Sequence, residues 1–81
     1  AGSWYLQNRG DTMVKDEFDF GFAVDLMHKD LNLVQNQAQI LKANTPLVDL
    51  TFDYLERSKE AGENKLDATV IIRRYLNDYL V

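Results

Sequence analysis

Helical periodicity runs without a break from Asp25 to Ala43, and this segment constrains the fold more than any other part of the chain. At 100° per residue, it carries two neighbouring apolar stripes. One stripe comprises Met27, Leu31, Val34, Ala38 and Leu41, and the other comprises Leu26, Leu33 and Ile40. Together the stripes are wider than the ~100° face of a simple surface helix. The pattern predicts a central helix that is capped by Asp25 and packed on two sides.

Two more helices are predicted on the C-terminal side from their capping residues. Thr45 and Pro46 predict the start of a helix, with Thr45 as its cap and Pro46 in its first turn. Proline has no backbone N–H, but the N–H groups of the first turn have no partner within the helix, so nothing is lost there. This helix is predicted to end near Gly62. Its residues fall into an inner face of Leu47, Leu50, Thr51, Tyr54 and Ser58 and an uncovered flank of Val48, Phe52 and Leu55. Asp67 is predicted to cap a last helix over 67–80 with an inward face of Ala68, Ile71, Ile72, Tyr75, Leu76 and Tyr79.

The N-terminal part is predicted to be a short helical segment from Ser3 to Arg9, followed by a loop from Gly10 to Gly21. In that loop, we expect three apolar side chains to point inward: Met13, Phe18 and Phe20. The whole chain has one proline and four glycines, and so few helix breakers favour helices with short connections. The predicted fold class is therefore all-α, a small helical bundle.

Composition excludes several classes of protein. Eighty-one residues form one small domain at most. The chain has no cysteine and only one histidine, His28. A zinc site needs about four ligands, and these residues cannot supply them. The absence of cysteine fits a cytoplasmic protein. A net charge of −4 without a basic stripe argues against a nucleic-acid binder of the helix-turn-helix type.

The termini and apolar runs give no sign of membrane insertion. No apolar run approaches the ~18 residues of a membrane span, and the first residues lack the pattern of a signal peptide. The sequence begins without an initiator methionine. We therefore expect the chain to be processed, tagged or cut from a longer protein.

The common ligand-binding motifs are absent from the sequence. The four glycines, at positions 2, 10, 21 and 62, cannot form a G-x-G-x-x-G or Walker loop. An EF-hand with Gly21 at its sixth position would place Phe18 and Phe20 at ligand positions. His28 faces the polar side of the central helix, which predicts a solvated residue rather than a member of a Ser-His-Asp triad.

One motif carries functional information. The run from Gly21 to Leu31 resembles the G-F-x-x-x-L-x-x-K-D-L signature of the β-hydroxyacid dehydrogenases, and in particular the 3-hydroxyisobutyrate dehydrogenase-like members. Three other segments resemble that family in order and spacing: Ser3-Trp4 with Asn8-Arg9-Gly10, Thr45-Pro46-Leu47, and Gly62 followed by Asp67-Ala68-Thr69. The resemblance covers essentially the whole chain.

The resemblance implies a place for this chain in a larger enzyme. Family members combine an N-terminal Rossmann domain, a long interdomain helix with the catalytic lysine, and a helical C-terminal domain of the 6-phosphogluconate-dehydrogenase-like fold. Residues 1–81 correspond to part of the last domain only. We therefore expect no catalytic residue and no activity from the chain alone. The implied cofactor is NAD or NADP, bound mainly by the Rossmann domain that this sequence lacks.

The implied reaction is hydride transfer between the nicotinamide and a small 3-hydroxy acid or semialdehyde, of the 3-hydroxyisobutyrate or 2-hydroxy-3-oxopropionate class. Assembly into a homo-oligomer, most simply a dimer, is also expected, with Leu26, Leu33 and Ile40 and the flank of the following helix exposed. The alternative is a non-enzymatic helical interaction module that uses Val48, Phe52 and Leu55 as its partner surface.

Three residues are candidates for the site. Lys29 corresponds to the family lysine that reaches the nicotinamide end of the cofactor, and a flexible cation at a helix rim can donate to ribose or carboxamide oxygens. Phe22 resembles an aromatic near the cofactor, although a core position fits it equally well. Asp30 falls between the two apolar stripes, so it is predicted to accept hydrogen bonds from backbone amides, the Trp4 indole or a cation, in a structural role. No metal site is predicted.

Overall fold

The computed structural model describes residues 4–80 as four α-helices and one 3-10 turn. These are α1 (Trp4–Val14), α2 (Val24–Leu41), α3 (Pro46–Glu60), a 3-10 turn (Ala68–Ile71) and α4 (Ile72–Leu80). Within that range the only β-type pairing is a single bridge between Ala23 and Asp67, which confirms the predicted all-α class. The predictions for Ser3 and for the Tyr79 side chain lie outside the described parts of the molecule.

Helix α1 is longer than the sequence predicted. It continues through Gly10 to Val14, so the predicted boundary at Arg9 is wrong. A glycine inside a helix costs only about 1 kcal/mol relative to alanine, and Met13 in the added turn packs against the core. The shorter loop that follows buries Phe18, as predicted, but leaves the ring of Phe20 partly exposed, contrary to prediction.

The start of α2 is capped by backbone rather than by Asp25. The helix begins one residue earlier than predicted, and Ala23 occupies the cap position without a side-chain hydrogen bond. The N–H groups of Val24 and Asp25 donate instead to the carbonyls of Leu66 (2.8 Å) and Asn64 (3.0 Å). The loop between α3 and the 3-10 turn therefore satisfies the N–H groups that every helix start leaves unbonded.

Helix α3 is rotated relative to the predicted orientation. Leu55, assigned to an uncovered flank, is completely buried, and it forms the core with Phe18, Val24 and Val70. Of the predicted inner face, Ser58 is buried as expected, but Leu47 is 79% exposed and Leu50 is half exposed. The reason is that the flank faces α2, which periodicity within one helix cannot reveal.

The second stripe of α2 is exposed, so the prediction of a helix packed on both sides is wrong for the described structure. Leu26, Leu33 and Ile40 are all more than half exposed, and Val34 and Leu41 of the first stripe are also exposed. Met27 and Leu31 pack against the core and Ala38 is buried. The packed face of α2 is therefore narrow, and a broad apolar surface lies open beside it.

The two ends of α3 are only partly as predicted. Pro46 is in its first turn, but the Thr45 hydroxyl bonds the Asp49 carboxylate (3.3 Å) and caps no backbone N–H, so the predicted cap is wrong. Helix α3 ends at Glu60, and Gly62 adopts the left-handed conformation (φ 80°) typical of a helix stop.

The single helix predicted over 67–80 is divided into the 3-10 turn and α4. The Asp67 side chain caps the 3-10 turn by accepting from the Thr69 N–H. Tyr75 and Leu76, which were predicted to face inward, are exposed.

Candidate functional site

The carboxylate of Asp67 joins three parts of the chain. It is 2% exposed and accepts locally from the Thr69 N–H (3.1 Å) and hydroxyl. Arg9 Nε on α1 lies 3.5 Å from the oxygen that accepts from Thr69, and the other oxygen accepts from the Phe22 N–H (2.9 Å). A buried carboxylate is costly unless it is paired and hydrogen-bonded. These partners meet that condition and tie α1, the start of α2 and the 3-10 turn together.

The glycine of the signature is required by this carboxylate. Gly21 has a φ of 78°, and a Cβ there would overlap both the Asp67 carboxylate and the Arg9 guanidinium. Beside it, the Ala68 N–H donates to the Phe22 carbonyl (2.7 Å). The Gly21–Phe22 turn is therefore held on both sides, by a side chain and by backbone.

Aromatic rings surround Arg9 at the surface of the same cluster. The guanidinium lies 4.6 Å from the Phe20 ring centroid and 5.5 Å from that of Trp4, distances typical of cation–π contacts. Phe22 is 41% exposed, so this candidate residue lies at the rim rather than in the core. The cluster thus places the faces of two aromatic rings against a cation near the start of α2.

Lys29 lies in the second turn of α2 and is exposed. Leu26 and Leu33 lie one turn before and one turn after it on the same side of the helix, and both are largely exposed. The side chain therefore emerges beside an open apolar surface, close along the chain to the Gly21–Phe22 turn. This placement is compatible with the role expected for Lys29.

Asp30 is exposed next to Lys29. Among the described side chains and backbone groups it has no hydrogen bond or ion pair, so none of the partners expected from the sequence contacts it there. The expectation rested on burial between two packed stripes, and the second stripe is open to solvent. A structural role for Asp30 stays a prediction for a larger assembly.

His28 is not the solvated residue that the sequence predicted. Its side chain is only 16% exposed, Nε2 bonds a Glu56 carboxylate oxygen, and the ring stacks on Phe52 at a centroid distance of 4.2 Å. These contacts connect α2 to α3. The polar face of α2 is covered at His28 because Phe52 and Glu56 of α3 pack against it.

A second charged cluster was missed by sequence reasoning. Glu63 is 7% exposed and accepts from Arg73 (2.8 Å) and Arg74 (3.3 Å). Arg73 also forms a two-point contact with Asp16 (2.9 and 3.1 Å), which lies in the loop after α1. The cluster fixes α4 to the end of α3 and to that loop. The only sequence signal was the adjacent pair of arginines in an otherwise acidic chain.

Two carboxylates in the folded chain, those of Asp16 and Asp25, make its stability against unfolding decrease at acidic pH. The bond to Arg73 lowers the pKa of Asp16 below its usual 3.8, and the Asn64 amide, with Lys59 and Lys65, lowers that of Asp25. Both groups therefore contribute stability above their unfolded pKa that is lost as the pH falls through the folded one. We expect the urea midpoint of the chain to drop between about pH 5 and pH 3.

The variant Asp16→Asn should show a smaller drop in the urea midpoint over that pH range, because the ion pair with Arg73 is already absent. Asp30→Asn is the matched control, since Asp30 has no partner among the described residues. Urea titrations monitored by circular dichroism measure the effect. An equal pH dependence of the Asp16 variant and the wild-type chain would contradict this assignment.

An apolar groove is lined by side chains of all four α-helices and of the 3-10 turn. Its volume is about 250 Å³, and it is lined mainly by Met13, Met27, Leu55, Ile71, Ile72 and Tyr75. A second depression, of about 410 Å³, adjoins it along Gly10, Val14 and Leu76.

Among the side chains that the structure describes, no group of histidine and acidic residues could hold a metal ion. None of the helices in the described part of the chain is long and apolar enough to cross a membrane.

The sequence matches a known protein family and several known oxidoreductases. Residues 1–75 match the family model described as the NAD-binding domain of NADP-dependent 3-hydroxyisobutyrate dehydrogenase. Over 90% of the length of this chain, the sequence is 32% identical to an L-threonate dehydrogenase of Pectobacterium atrosepticum. It is 30% identical to a 2-hydroxy-3-oxopropionate reductase of Escherichia coli, also over 90%. An oxidoreductase of Shewanella frigidimarina is 31% identical over 91% of the chain.

A solved structure shares the fold. The crystal structure of a 3-hydroxyisobutyrate dehydrogenase from Salmonella typhimurium superimposes with a TM-score of 0.78 and 30% identity, over 89% of this chain. The chain spans about a quarter of the length of these proteins: 24% of the L-threonate dehydrogenase and 25% of the solved structure.

Proposed function

Because this chain belongs to the family of the NAD-binding domain of NADP-dependent 3-hydroxyisobutyrate dehydrogenase, we propose that it forms the cofactor-facing C-terminal segment of such an enzyme. The reaction proposed is hydride transfer between NAD or NADP and a small 3-hydroxy acid or semialdehyde. The observation that carries this proposal is the position of Lys29. Lys29 is exposed in the second turn of α2. It follows the Gly21–Phe22 turn, which the bond from the Phe22 N–H to Asp67 holds in place.

The proposed task of this segment is to close one side of the cofactor cleft. Lys29 supplies a flexible cation whose three N–H donors can reach the ribose or carboxamide oxygens of a dinucleotide. The exposed ring of Phe22 supplies an apolar edge beside it. The nicotinamide carries out the hydride chemistry, and the protein orients it and excludes competing reactions.

The rest of the proposed enzyme must supply what this segment lacks. The chain has neither the glycine-rich phosphate-binding loop nor the catalytic lysine of its family, because both belong to segments outside these residues. One exposed lysine cannot hold a dinucleotide by itself. We therefore propose that residues 1–81 alone bind no dinucleotide at micromolar concentration and have no dehydrogenase activity.

The test is an activity panel on the full-length protein. Small 3-hydroxy acids, including 3-hydroxyisobutyrate and L-threonate, are offered with NAD⁺ and with NADP⁺, and 2-hydroxy-3-oxopropionate is offered with the reduced cofactors. Reduction of one oxidised cofactor by a member of the panel, with no turnover by the isolated chain, supports the proposal. Turnover by the isolated chain, or no oxidoreductase activity of the full-length protein with any of these substrates, would overturn it.

The alternative of a non-enzymatic interaction module loses the surface on which it rested. Leu55 is buried in the core, and Val48 and Phe52 are half-buried, with Phe52 stacked on His28, so little of the flank of α3 is open to a partner. The open apolar surface lies instead on α2 and at the start of α3. This change favours the enzyme segment, because part of the open surface, Leu26 and Leu33, lies beside Lys29.

Self-association of the isolated chain is the expected consequence of that surface. Leu26, Leu33, Ile40 and Leu47 are each at least half exposed, and a contiguous patch of such residues is a liability that a two-fold contact can bury. We expect light scattering to give a mass above 9.4 kDa that rises with concentration, most simply towards a dimer. Leu33→Lys should shift the mass towards the monomer. A mass of 9.4 kDa at every concentration would contradict the expectation.

A further inference from the structure

Asp67 makes more contacts than a helix cap requires. Its bonds to the Thr69 N–H and hydroxyl satisfy the 3-10 turn that it begins. Its remaining contacts, with the Phe22 N–H and the Arg9 guanidinium, cross from the C-terminal third of the chain to its N-terminal part. A carboxylate can accept about four hydrogen bonds, and here that capacity is used to join distant segments.

We propose that Asp67 is a positioning residue for the cofactor cleft, because its buried carboxylate fixes the turn from which Phe22 and Lys29 project. This inference rests on the proposed function of Lys29. Asp67 itself is only 2% exposed, so it acts through the residues that it holds and not by direct contact with the cofactor. Its effect passes through the Phe22 N–H and through the close approach to Gly21, where no side chain fits between turn and carboxylate.

The backbone transmits this constraint into α2. The Val24 and Asp25 N–H groups are bonded to carbonyls of the loop that leads into Asp67, so the turn and the first residues of α2 form one hydrogen-bonded unit. Lys29 follows in the next turn of the same helix. A displacement of about 1 Å far from the reacting atoms can lower an enzymatic rate roughly 100-fold.

An Asp67→Asn substitution tests the charge and the acceptors without changing the size. An amide has one oxygen and one NH₂ group, whereas both carboxylate oxygens accept here. Either the Phe22 N–H or the Thr69 donors must then face an NH₂ group, and Arg9 loses its anionic partner. We expect the turn to loosen and α2 to shift with it.

The experiment measures cofactor KM, kcat and melting temperature of the full-length protein and its variants. Asp67→Asn should raise the cofactor KM or lower kcat about 10- to 100-fold. Glu63→Gln is the matched control, because Glu63 is also buried but its partners Arg73 and Arg74 lie on α4. It should lower the melting temperature and leave the cofactor KM unchanged. A drop in melting temperature alone for Asp67→Asn would overturn the inference.

A double variant links the effect to Lys29. If Asp67 acts through the placement of Lys29, Asp67→Asn combined with Lys29→Ala should cost little more than Lys29→Ala alone, since both remove the same contact. Full additivity of the two losses would contradict positioning. If Lys29→Ala changes neither cofactor KM nor kcat, the proposed function of Lys29 fails. If Lys29→Ala is impaired and Asp67→Asn is not, only the inference about Asp67 fails.

Arg9→Gln decides the question should Asp67→Asn not fold. It removes the cation beside the carboxylate and retains the Phe22 bond. We expect a change of cofactor KM in the same direction and of smaller size. Wild-type cofactor kinetics in Arg9→Gln, together with impaired Lys29→Ala, would overturn the inference.

Discussion

Leu55→Ala should destabilise the chain by about 2–5 kcal/mol. Leu55 is completely buried and packs with Phe18, Val24 and Val70, so its truncation leaves a cavity among residues from four segments. A domain of this size has a free energy of unfolding of only roughly 0.05–0.15 kcal/mol per residue. The loss is therefore a large fraction of the whole stability of the chain. Urea unfolding followed by circular dichroism measures it.

Leu47→Ala is the matched control for that experiment. It is the same substitution in the same helix, but Leu47 is 79% exposed. At a protein concentration low enough for the chain to be monomeric, a change at such a surface position is expected to stay within about 0.5 kcal/mol. The periodicity of α3 taken alone ranks the two residues in the opposite order. A larger loss for Leu47→Ala than for Leu55→Ala would show that α3 has the orientation predicted from the sequence.

Lys29→Ala in the full-length protein should weaken the cofactor while leaving the fold intact. Loss of a charge-assisted hydrogen bond costs roughly 1.5–3 kcal/mol, or about 10- to 150-fold in kcat/KM for the cofactor. The melting temperature should not change, because Lys29 is exposed and has no hydrogen bond or ion pair with the side chains that the structure describes. Steady-state kinetics with varied NADH and NADPH measure the effect.

Lys42→Ala is the control for the charge itself. Lys42 is also exposed, but it follows the last residue of α2, at the end opposite to the Gly21–Phe22 turn. It should retain the wild-type cofactor kinetics. Equal losses in the two variants would indicate a general electrostatic effect, and unchanged kinetics in both would make Lys29 an ordinary surface residue.

The sequence predicted the helices well because helix starts and stops are local signals. Pro46 and Gly62 bound α3, and Asp67 caps the next element through a residue two positions away. Gly10 misled the prediction of α1, since the packing of Met13 outweighs the modest cost of a glycine. Asp25 misled the prediction of how α2 begins, because backbone carbonyls of the loop at 64–66 accept from the first N–H groups of that helix.

The packing and the site depended on contacts that no local pattern contains. The rotation of α3 follows from the contact of His28 with Phe52 and Glu56, between two different helices. The bond from the Phe22 N–H to Asp67 joins two segments of the family resemblance that lie 45 residues apart. The resemblance identified both segments without indicating that they touch. Their contact explains why the glycine of the signature has no space for a side chain.

The most direct test of the proposed role is a crystal structure of the full-length protein with NAD⁺ or NADP⁺ bound. It measures the distance from Lys29 Nζ to the oxygens of the nicotinamide carboxamide and the adjoining ribose. We predict a hydrogen bond of about 2.7–3.2 Å to one of them, with Phe22 at the edge of the same cleft. A bound cofactor whose nicotinamide lies away from the start of α2, with Lys29 in solvent, would contradict the central proposal.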